Sequence, residues 1–375
     1  MKILITGTHF TPAQAVIEEL KKDKNLDIVY VGRKYTQEGD RSISQESQIL
    51  PKIGVKFVPI ITGRLQRLFT RYTIPSILKI FIGVVQSLYI VIREQPDIVL
   101  SFGGYVAVPT VISAWFLSIP IIIHEQTLVS GLSNTISSAF ASEILVSFPD
   151  NKSFDPDKTV LTGNPLRRDL FSSVKNSNFV EIINLAKVEK LPLVLITGGN
   201  QGSHIINQTV YNCLEDLNKI ACVIHQTGDS KFNDYGKLNG KRNSLIHPQR
   251  YVAVKWIDGL DMGFIFKNAD LAISRAGINT LLESAYFGIP TLVIPITYLY
   301  KNEQMVNAKY FESMGLTKIL PQLKLTPQAL VININEMVRN LPKLKERAKK
   351  ANNVVIPDAA KRIALETILL VKKTR

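Results

Sequence analysis

A glycine-centred segment, Ser274–Glu283, has residue types and spacing suited to binding a phosphorylated ligand. It follows the apolar run Ala269–Ile273, which predicts a buried strand, and it leads into a helical pattern. Gly277 would let the turn approach a ligand closely. Backbone N–H groups at a helix start have no partner within the helix and bind anions, phosphate among them. Here those groups belong to Ile278, Asn279 and Thr280.

Glu283 lies one helical turn further along, where its carboxylate could hold the two hydroxyl groups of a ribose. A diphosphate-binding turn followed by a ribose-binding acid predicts a nucleotide-sugar site. The alternative is an ordinary strand–turn–helix junction in which Glu283 only lines the helix. The segment alone does not decide between the two.

Four other loops place polar residues after apolar runs, where parallel sheets bind ligands. They contain His9, the segment Gly103-Gly104-Tyr105, the segment His124-Glu125-Gln126 with Asn134 beyond it, and Gly198–Ser203. A histidine with a pKa near 6.5 can act as a general base, or it can only cap a helix. The polar residues after the Ile119–Ile123 run predict either ligand contacts or an internal hydrogen-bond network. The side-chain amides of Gln304 and Asn307 could bind sugar hydroxyls, or they could form part of a polar helix face.

Composition limits the class of protein. The chain has 375 residues, is 46% hydrophobic and has a net charge of +14, which suits a globular protein that meets an anionic partner. It has two cysteines and five scattered histidines, so no disulfide framework or metal centre is predicted. The N-terminal Met1–Gly7 has too short an apolar run for a signal peptide and predicts a first strand, which favours a cytosolic location.

Short apolar runs alternate with helical patterns along the whole chain, as in parallel sheets covered by helices. The predicted strands are Ile3–Thr6, Ile28–Val31, Val55–Ile60, Ile98–Ser101, Ile119–Ile123, Ile144–Val146, Val194–Thr197, Ala221–Gln226, Val252–Trp256, Leu271–Ser274 and Thr291–Ile294. They predict an α/β protein of two doubly wound domains facing a cleft. The turn-rich Thr162–Pro165 gives domains of residues 1–163 and 164–356, and the helix of about 357–375 is expected to pack back on the first.

The segment from Arg64 to Ile92 raises the question of a membrane. Ile74–Ile92 is nearly long enough to span a bilayer, but Lys79 and Gln86 interrupt it. The basic residues Arg64, Arg67 and Arg71 precede it. A helix that lies in a membrane interface and a core helix of an α/β domain remain open.

Taken in order, the motifs resemble one family along essentially the whole chain. They are His9-x-x-Pro12-Ala13, Gly103-Gly104-Tyr105-Val106, His124-Glu125-Gln126, Gly131 with Asn134, Gly163–Arg167, Gly199-x-Gln201-Gly202, Asp261-Met262, Ser274–Glu283, Gly288-x-Pro290, Gln304 with Asn307-Ala308, and Pro357–Ala360. The chain resembles the bacterial N-acetylglucosaminyltransferases of the MurG type in glycosyltransferase family 28. These enzymes convert lipid I to lipid II in peptidoglycan synthesis.

The resemblance implies the GT-B fold and an inverting transfer from UDP-N-acetylglucosamine to undecaprenyl-diphosphate-linked N-acetylmuramyl-pentapeptide, with no metal and no cofactor. His9 would be the general base. Ile257 would meet the uracil through its backbone, Glu283 the ribose, and Gln304 the sugar. The other implied donor-side residues are Thr8, Arg167, Asn200, Gly277, Ile278, Asn279 and Thr280. The implied acceptor-side residues are Gly103, Gly104, Tyr105, Glu125, Gln126, Thr127 and Asn134.

The resemblance also implies a peripheral protein on the cytoplasmic face of the cell membrane, with the segment from Arg64 to Ile92 docked on anionic lipid and Trp115 beside it. The chain departs from the family pattern in a first loop two residues shorter, in Thr127 for Asn, in Asn200 for Ser and in an insertion before Asp261. Three alternatives stay open: a related transferase with another lipid-linked acceptor, a non-catalytic sugar-binding relative, and a basic nucleic-acid-binding protein. The last lacks any nucleic-acid motif, so no nucleic-acid partner is predicted.

Overall fold

The computed structural model describes residues 1–35, 43–63, 73–149, 151, 153–172, 177–199, 201–298 and 300–374. The chain divides into two compact units. Unit 1 comprises Met1–Leu166 and Ile356–Arg375, and unit 2 comprises Arg167–Val355. The chain therefore leaves unit 1 once and returns to it at its end.

Unit 1 contains a seven-stranded parallel sheet in the order β3-β2-β1-β4-β5-β6-β7. Its strands are β1 (Lys2–Thr6), β2 (Asp27–Gly32), β3 (Lys56–Pro59), β4 (Ile98–Ser101), β5 (Ile121–Glu125), β6 (Glu143–Val146) and β7 (Thr159–Leu161). Its helices are α1 (Phe10–Leu20), α2 (Gln45–Ile49), α3 (Thr73–Glu94), α4 (Ala107–Phe116), α5 (Leu132–Ser138) and, after unit 2, α14 (Ala359–Thr374).

Alternate residues of β1 are buried on opposite faces of this sheet. Ile3 and Ile5 pack in one core with residues of α1 and α14. Leu4 packs in a second core with residues of α3 and α4. Burial on both faces is why these strands are continuous apolar runs. Among the described helices, α3 included, none is long and apolar enough to cross a membrane.

Unit 2 contains a six-stranded parallel sheet in the order β10-β9-β8-β11-β12-β13. Its strands are β8 (Leu193–Thr197), β9 (Cys222–Gln226), β10 (Tyr251–Val254), β11 (Leu271–Ser274), β12 (Thr291–Val293) and β13 (Thr317–Ile319). Its helices are α6 (Val180–Glu189), α7 (His204–Ile220), α8 (Asp234–Arg242), α9 (Gly259–Asn268), α10 (Ile278–Phe287), α11 (Glu303–Ser313), α12 (Pro327–Arg339) and α13 (Leu341–Lys350).

The predicted pair of Rossmann-like parallel-sheet domains is confirmed. The predicted fifth strand is wrong in its bounds, because β5 begins at Ile121 and runs through Glu125. Ile119 instead donates its N–H to the Ala114 carbonyl at the end of α4, and Pro120 has no N–H for the ladder. His124 and Glu125 are consequently buried strand residues rather than residues of the following loop.

Candidate functional site

The start of α10 in unit 2 leaves backbone donors open. The first hydrogen bond of the helix runs from the Leu281 N–H to the Gly277 carbonyl over 3.1 Å. The amides of Ile278 and Thr280 therefore have no partner among the described residues, and no side chain caps the helix. A Cβ placed on Gly277 would meet no described residue within 4 Å, so the space beside this helix start is open in the described part of the chain. This geometry is suited to an anion.

Glu283 is buried one turn further along α10 and pairs with Arg167. The guanidinium reaches one carboxylate oxygen through Nε at 3.1 Å and Nη2 at 3.0 Å. Burial raises the pKa of Glu283, and the charge of Arg167 opposes the rise. The pair holds an acceptor group beside the helix start, in a position suited to hydroxyl donors.

Gln226, the last residue of β9, connects two segments of unit 2. Its Oε1 accepts the N–H of Ile257 at 3.1 Å, and its Nε2 donates to the Gly199 carbonyl at 3.1 Å. Since the N–H of Ile257 is already used, we expect the backbone carbonyl of this residue to be the group that meets a ligand. The carbonyl is an acceptor, so it suits the N–H of a uracil ring.

The glycine loop between β8 and α7 is in close backbone contact with the loop after β9. Gly202 and Gly228 both have positive φ angles, of 75° and 74°. A Cβ on Gly202 would overlap the Thr227 carbonyl, and a Cβ on Gly228 would lie 2.5 Å from the Gln201 carbonyl. Only glycine permits this approach. Asn200, predicted on the donor side, lies outside the described residues.

Two further side chains tie the end of β11 to its surroundings. Arg275 is buried and donates to Ser203 Oγ at 3.1 Å, to the Ile294 carbonyl at 2.9 Å and to Gln322 Oε1 at 2.8 Å. Asn307 donates through Nδ2 to the Ala276 carbonyl at 3.2 Å. Gln304, predicted to bind a sugar, accepts the Ile296 N–H through Oε1 at 3.0 Å, which leaves its Nε2 hydrogens as the donors for a ligand.

In unit 1, the loop after β1 packs directly on the glycines after β4. Thr8 donates its backbone N–H to the Gly103 carbonyl at 3.0 Å. Gly104 has a φ of 82°, and a Cβ there would overlap the hydroxyl of Thr8. Gly103 has a φ of 69°, and its Cβ would come within 2.8 Å of Asn134 Oδ1. Tyr105 follows them and is half-buried.

His9 ends this first loop and is exposed to solvent at the start of α1. Its Nδ1 lies 2.8 Å from Nε2 of Gln126, which follows β5. The chain packed around the ring removes part of its hydration and, with the positive charge of Arg33, lowers the pKa of His9 below its ordinary value. The exposed ring keeps part of its hydration, but both causes act in the same direction. The ring is therefore neutral at pH 7, as a general base must be.

The carboxylate of Glu125 is fully used by its own chain. One oxygen accepts the N–H of Thr127 at 3.1 Å and its hydroxyl at 2.8 Å. The other accepts the N–H of Gly131 at 3.1 Å and Nδ2 of Asn134 at 3.0 Å. Burial raises the pKa of Glu125 while these four donors oppose the rise. Glu125 therefore shapes the loop between β5 and α5 rather than presenting a free carboxylate.

Family comparisons agree with this two-unit arrangement. Residues 4–146 match the glycosyltransferase family 28 N-terminal domain, and residues 193–363 match the glycosyltransferase family 28 C-terminal domain. The chain belongs to glycosyltransferase family 28. Family membership makes it a nucleotide-sugar-dependent glycosyltransferase, as the sequence predicts.

Curated relatives of this family 28 enzyme are similar over nearly their whole length. The UDP-N-acetylglucosamine–N-acetylmuramyl-(pentapeptide) pyrophosphoryl-undecaprenol N-acetylglucosamine transferase of Clostridium kluyveri is 33% identical over 342 residues, which cover 90% of this chain and 91% of the relative. The transferase of the same name from Clostridium novyi is 32% identical over 362 residues, or 94% and 96% of the two chains.

Solved structures share the fold. MurG of Acinetobacter baumannii superposes with a TM-score of 0.73 at 23% identity, covering 98% of this chain and 99% of that one. The UDP-GlcNAc 2-epimerase of Neisseria meningitidis, bound to UDP-GlcNAc, superposes with a TM-score of 0.66 at 18% identity, covering 98% and 100%. These likenesses establish the GT-B architecture of the family 28 enzyme.

The predicted residues fall into two groups in the family 28 enzyme. Unit 2 brings together the α10 start, Glu283 and Arg167, and unit 1 brings together Thr8, His9, Gly103, Gly104, Gln126 and Asn134 through the contacts above. Gln226 was missed as a site residue, although a polar side chain that ends a buried strand was a usable signal. Among the described residues no group of His, Cys, Asp and Glu is placed to hold a metal ion.

Proposed function

We propose that this enzyme transfers N-acetylglucosamine from UDP-N-acetylglucosamine to undecaprenyl-diphosphate-linked N-acetylmuramyl-pentapeptide, converting lipid I to lipid II. The curated relatives named for this reaction support it, because they match 90% or more of the chain. The observation that supports the donor most directly is the open α10 start with Glu283 one turn beyond it. That arrangement offers donors to a diphosphate and an acceptor to a ribose.

On this proposal, the donor lies along unit 2. The amides of Ile278 and Thr280 face the diphosphate across Gly277, with Asn279 between them. Glu283 holds the ribose, and Arg167 fixes the carboxylate of Glu283. The carbonyl of Ile257 accepts from the uracil ring, and Gln304 donates to the sugar. Thr8 and Asn200 remain predicted donor-side residues.

The reaction needs a base for the acceptor hydroxyl and a stabiliser for the leaving group. His9 takes the hydroxyl proton, the oxygen attacks the anomeric carbon, and the carbon–oxygen bond to the diphosphate breaks with its electron pair leaving on UDP. The negative charge that develops on UDP meets the open backbone donors of α10 and the positive end of the helix dipole. Gly103, Gly104, Tyr105, Gln126, Thr127 and Asn134 are the proposed acceptor side, with Glu125 holding their loop in shape.

A steady-state assay tests the proposal with UDP-N-acetylglucosamine and a soluble lipid I analogue. We expect equal amounts of UDP and glycosylated product, with an inverted anomeric configuration. Transfer to a different lipid-linked acceptor, with none to the lipid I analogue, would instead establish the alternative of a related transferase. Bound UDP with no transfer to either class would leave a non-catalytic sugar-binding protein.

We also propose that α3 and α4 dock this enzyme on the anionic cytoplasmic face of the cell membrane. One face of α3 exposes large apolar side chains at helical spacing, and α4 adds two more near its end. They are Phe81, Ile82, Val85, Tyr89, Ile92, Trp115 and Phe116. Arg64, Arg67 and Arg71 of the predicted basic rim lie outside the described residues. Each basic residue near an anionic surface adds about 1 kcal/mol of attraction.

Flotation with vesicles of phosphatidylglycerol and phosphatidylcholine tests this docking. The double substitution Phe81→Ser with Val85→Ser is expected to reduce the bound fraction severalfold, because it removes exposed apolar area from α3. Ile332→Ser is the matched control, since Ile332 is 63% exposed on α12 of unit 2 and Phe81 is 67% exposed. Equal loss of binding in the control, or none in the double variant, would reject this surface. Competition by RNA at equal salt would revive a nucleic-acid partner.

A further inference from the structure

The side-chain amide of Gln126 contacts His9 through its nitrogen, while its oxygen has no hydrogen-bond partner among the described residues. The side chain is 8% exposed, and its Nε2 lies 2.8 Å from Nδ1 of His9. Its Oε1 is buried without a partner among the described residues. The other ring nitrogen of His9, Nε2, also has no hydrogen-bond partner in the described part of the chain. The hydrogen bond between the two residues therefore decides which ring nitrogen of His9 holds the proton.

A neutral imidazole has one N–H and one nitrogen lone pair, and the partner of one nitrogen fixes the state of the other. When the amide NH2 of Gln126 faces Nδ1, that nitrogen is the acceptor and the proton sits on Nε2. His9 then has no lone pair at Nε2 with which to remove a proton. When the amide is turned by half a rotation, Oε1 accepts from Nδ1–H and Nε2 becomes the base. The two orientations exchange Oε1 and Nε2 without changing the outline of the side chain.

We propose that Gln126 is a positioning residue that sets the tautomer of His9, with its amide oxygen facing Nδ1 in the reacting complex. This inference rests on the proposed function, because it concerns the base of that reaction. The acceptor hydroxyl then gives its proton to Nε2 of His9, its oxygen bonds to the anomeric carbon, and UDP leaves with the electron pair of the broken bond.

The other groups around His9 favour this neutral base. Arg33 after β2 contributes positive charge that opposes protonation of His9, and Glu46 of α2 lies 3.6 Å from Arg33. Tyr30 of β2 donates its hydroxyl to the Gly7 carbonyl, and His124 of β5 is neutral because burial lowers its pKa. In the described residues no carboxylate is hydrogen-bonded to His9. An amide orients this ring without adding the negative charge with which a carboxylate would raise its pKa.

Two substitutions at Gln126 separate orientation from simple packing. Gln126→Leu removes the amide and is expected to lower kcat about tenfold or more, with an unchanged KM for UDP-N-acetylglucosamine. Gln126→Glu supplies only oxygen acceptors, so it fixes the proton on Nδ1 and raises the pKa of His9 through its charge. We expect this variant to keep transfer above neutral pH while the acidic limb of its pH profile moves to higher pH. A profile that stays where it was would overturn the proposal, as would wild-type kcat in Gln126→Leu.

Nitrogen NMR of the imidazole rings gives a readout that does not need turnover. With UDP and the acceptor analogue bound, we expect His9 to carry its proton on Nδ1, and a proton on Nε2 in this complex would refute the inference. A His9→Gln variant assigns the signal. Gln14→Leu is the matched control, since the Gln14 amide on α1 donates to Glu18 of the same helix, away from His9 in the described hydrogen bonds. Absence of transfer in the wild type would count against the proposed function, whereas wild-type transfer with no effect at Gln126 would count against this inference alone.

Discussion

The α10 start in unit 2 and the loop after β5 in unit 1 both contain polar groups that the sequence predicts as ligand contacts, but they use these groups differently. At α10, the amides of Ile278 and Thr280 face open space across Gly277. At the end of β5, Glu125 meets four donors from the residues that follow the strand. The first region is open to a ligand, whereas the second has used its strongest acceptor to hold its own shape.

The difference separates two kinds of motif residue. Glu283 lies beside open backbone donors and pairs with Arg167, so its removal should weaken ligand binding. Glu125 lies beneath a loop whose amides would lose their acceptor without it, so its removal should lower the stability of the fold. Substitution of Glu283 therefore tests ligand binding, whereas substitution of Glu125 tests the stability of the fold.

The largest expected effect concerns chemistry in unit 1. His9→Ala should lower kcat by about 10²- to 10⁴-fold, because a positioned general base contributes that much, while the KM for UDP-N-acetylglucosamine stays near wild type. Steady-state kinetics with both substrates varied checks this. A kcat within a factor of two of wild type would assign the base elsewhere.

A smaller but structural loss is expected at Glu125. Glu125→Gln places an NH2 group against donors of the β5 loop and should cost about 2 kcal/mol or more of unfolding free energy. Urea unfolding measures it. Asp27→Asn is the control in the same unit, because Asp27 is 64% exposed and its ion pair with Lys2 is a surface pair of little value. Equal losses in the two variants would contradict the role given to Glu125.

Acid sensitivity should be shared by both units. Burial lowers the pKa of His124 to about 4 and that of His225 to about 3. The unfolded chain therefore takes up these protons below about pH 6.5, before the folded protein does, and stability falls as the pH drops from there towards 4. Each histidine contributes a slope of about 1.4 kcal/mol per pH unit. His124→Gln and His225→Gln should each flatten the measured dependence of unfolding free energy on pH, and an unchanged slope would refute the assignment.

Donor binding gives the next effect. Glu283→Gln should raise the KM for UDP-N-acetylglucosamine about tenfold, since a hydrogen bond to a charged acceptor is worth about 1.5 kcal/mol or more, with a smaller change in kcat. Glu336→Gln is the control, because Glu336 forms an exposed ion pair with Lys318. A KM that rises equally in both variants would remove Glu283 from the donor site.

The smallest effect compares two glycines. Gly277→Ala should leave the unfolding free energy within about 0.5 kcal/mol of wild type, because φ is −72° and the space is open, and should weaken UDP binding only severalfold. Gly104→Ala is the contrasting variant, with a positive φ and a clash against Thr8, and should be clearly destabilised. Calorimetry of unfolding and UDP titration measure both. Similar destabilisation at the two positions would contradict the open space at α10.

The sequence predicts the two-domain α/β fold because the buried strands are continuous apolar runs. It does not predict β7 and β13, which are three-residue edge strands that contain Thr159, Thr317 and Lys318 and pair on one side only. It also misplaces β5, since an apolar run does not reveal that the Ile119 N–H bonds the end of α4 instead of a neighbouring strand.

The candidate site is predictable in its residue types but not in its hydrogen bonds. The sequence indicates that Gly277 and Glu283 flank a helix start, because both lie within one local segment. It does not indicate that Glu125 would bind Thr127, Gly131 and Asn134, or that Gln226 would take the N–H of Ile257. Those choices depend on which loops the completed sheets bring together.

The return of the chain to unit 1 has a consequence for its synthesis. Ile363, Ala364 and Val371 of α14 are buried in the same core as Ala13 and Val16 of α1. A ribosome makes α1 before unit 2 and α14 after it, so the core that holds the first loop cannot close until α14 has emerged. Unit 2 has its whole sequence available earlier. We therefore expect unit 2 to fold while unit 1 is still incomplete. A stop codon just before α14 should then destabilise unit 1, including the part of it that is synthesised before unit 2.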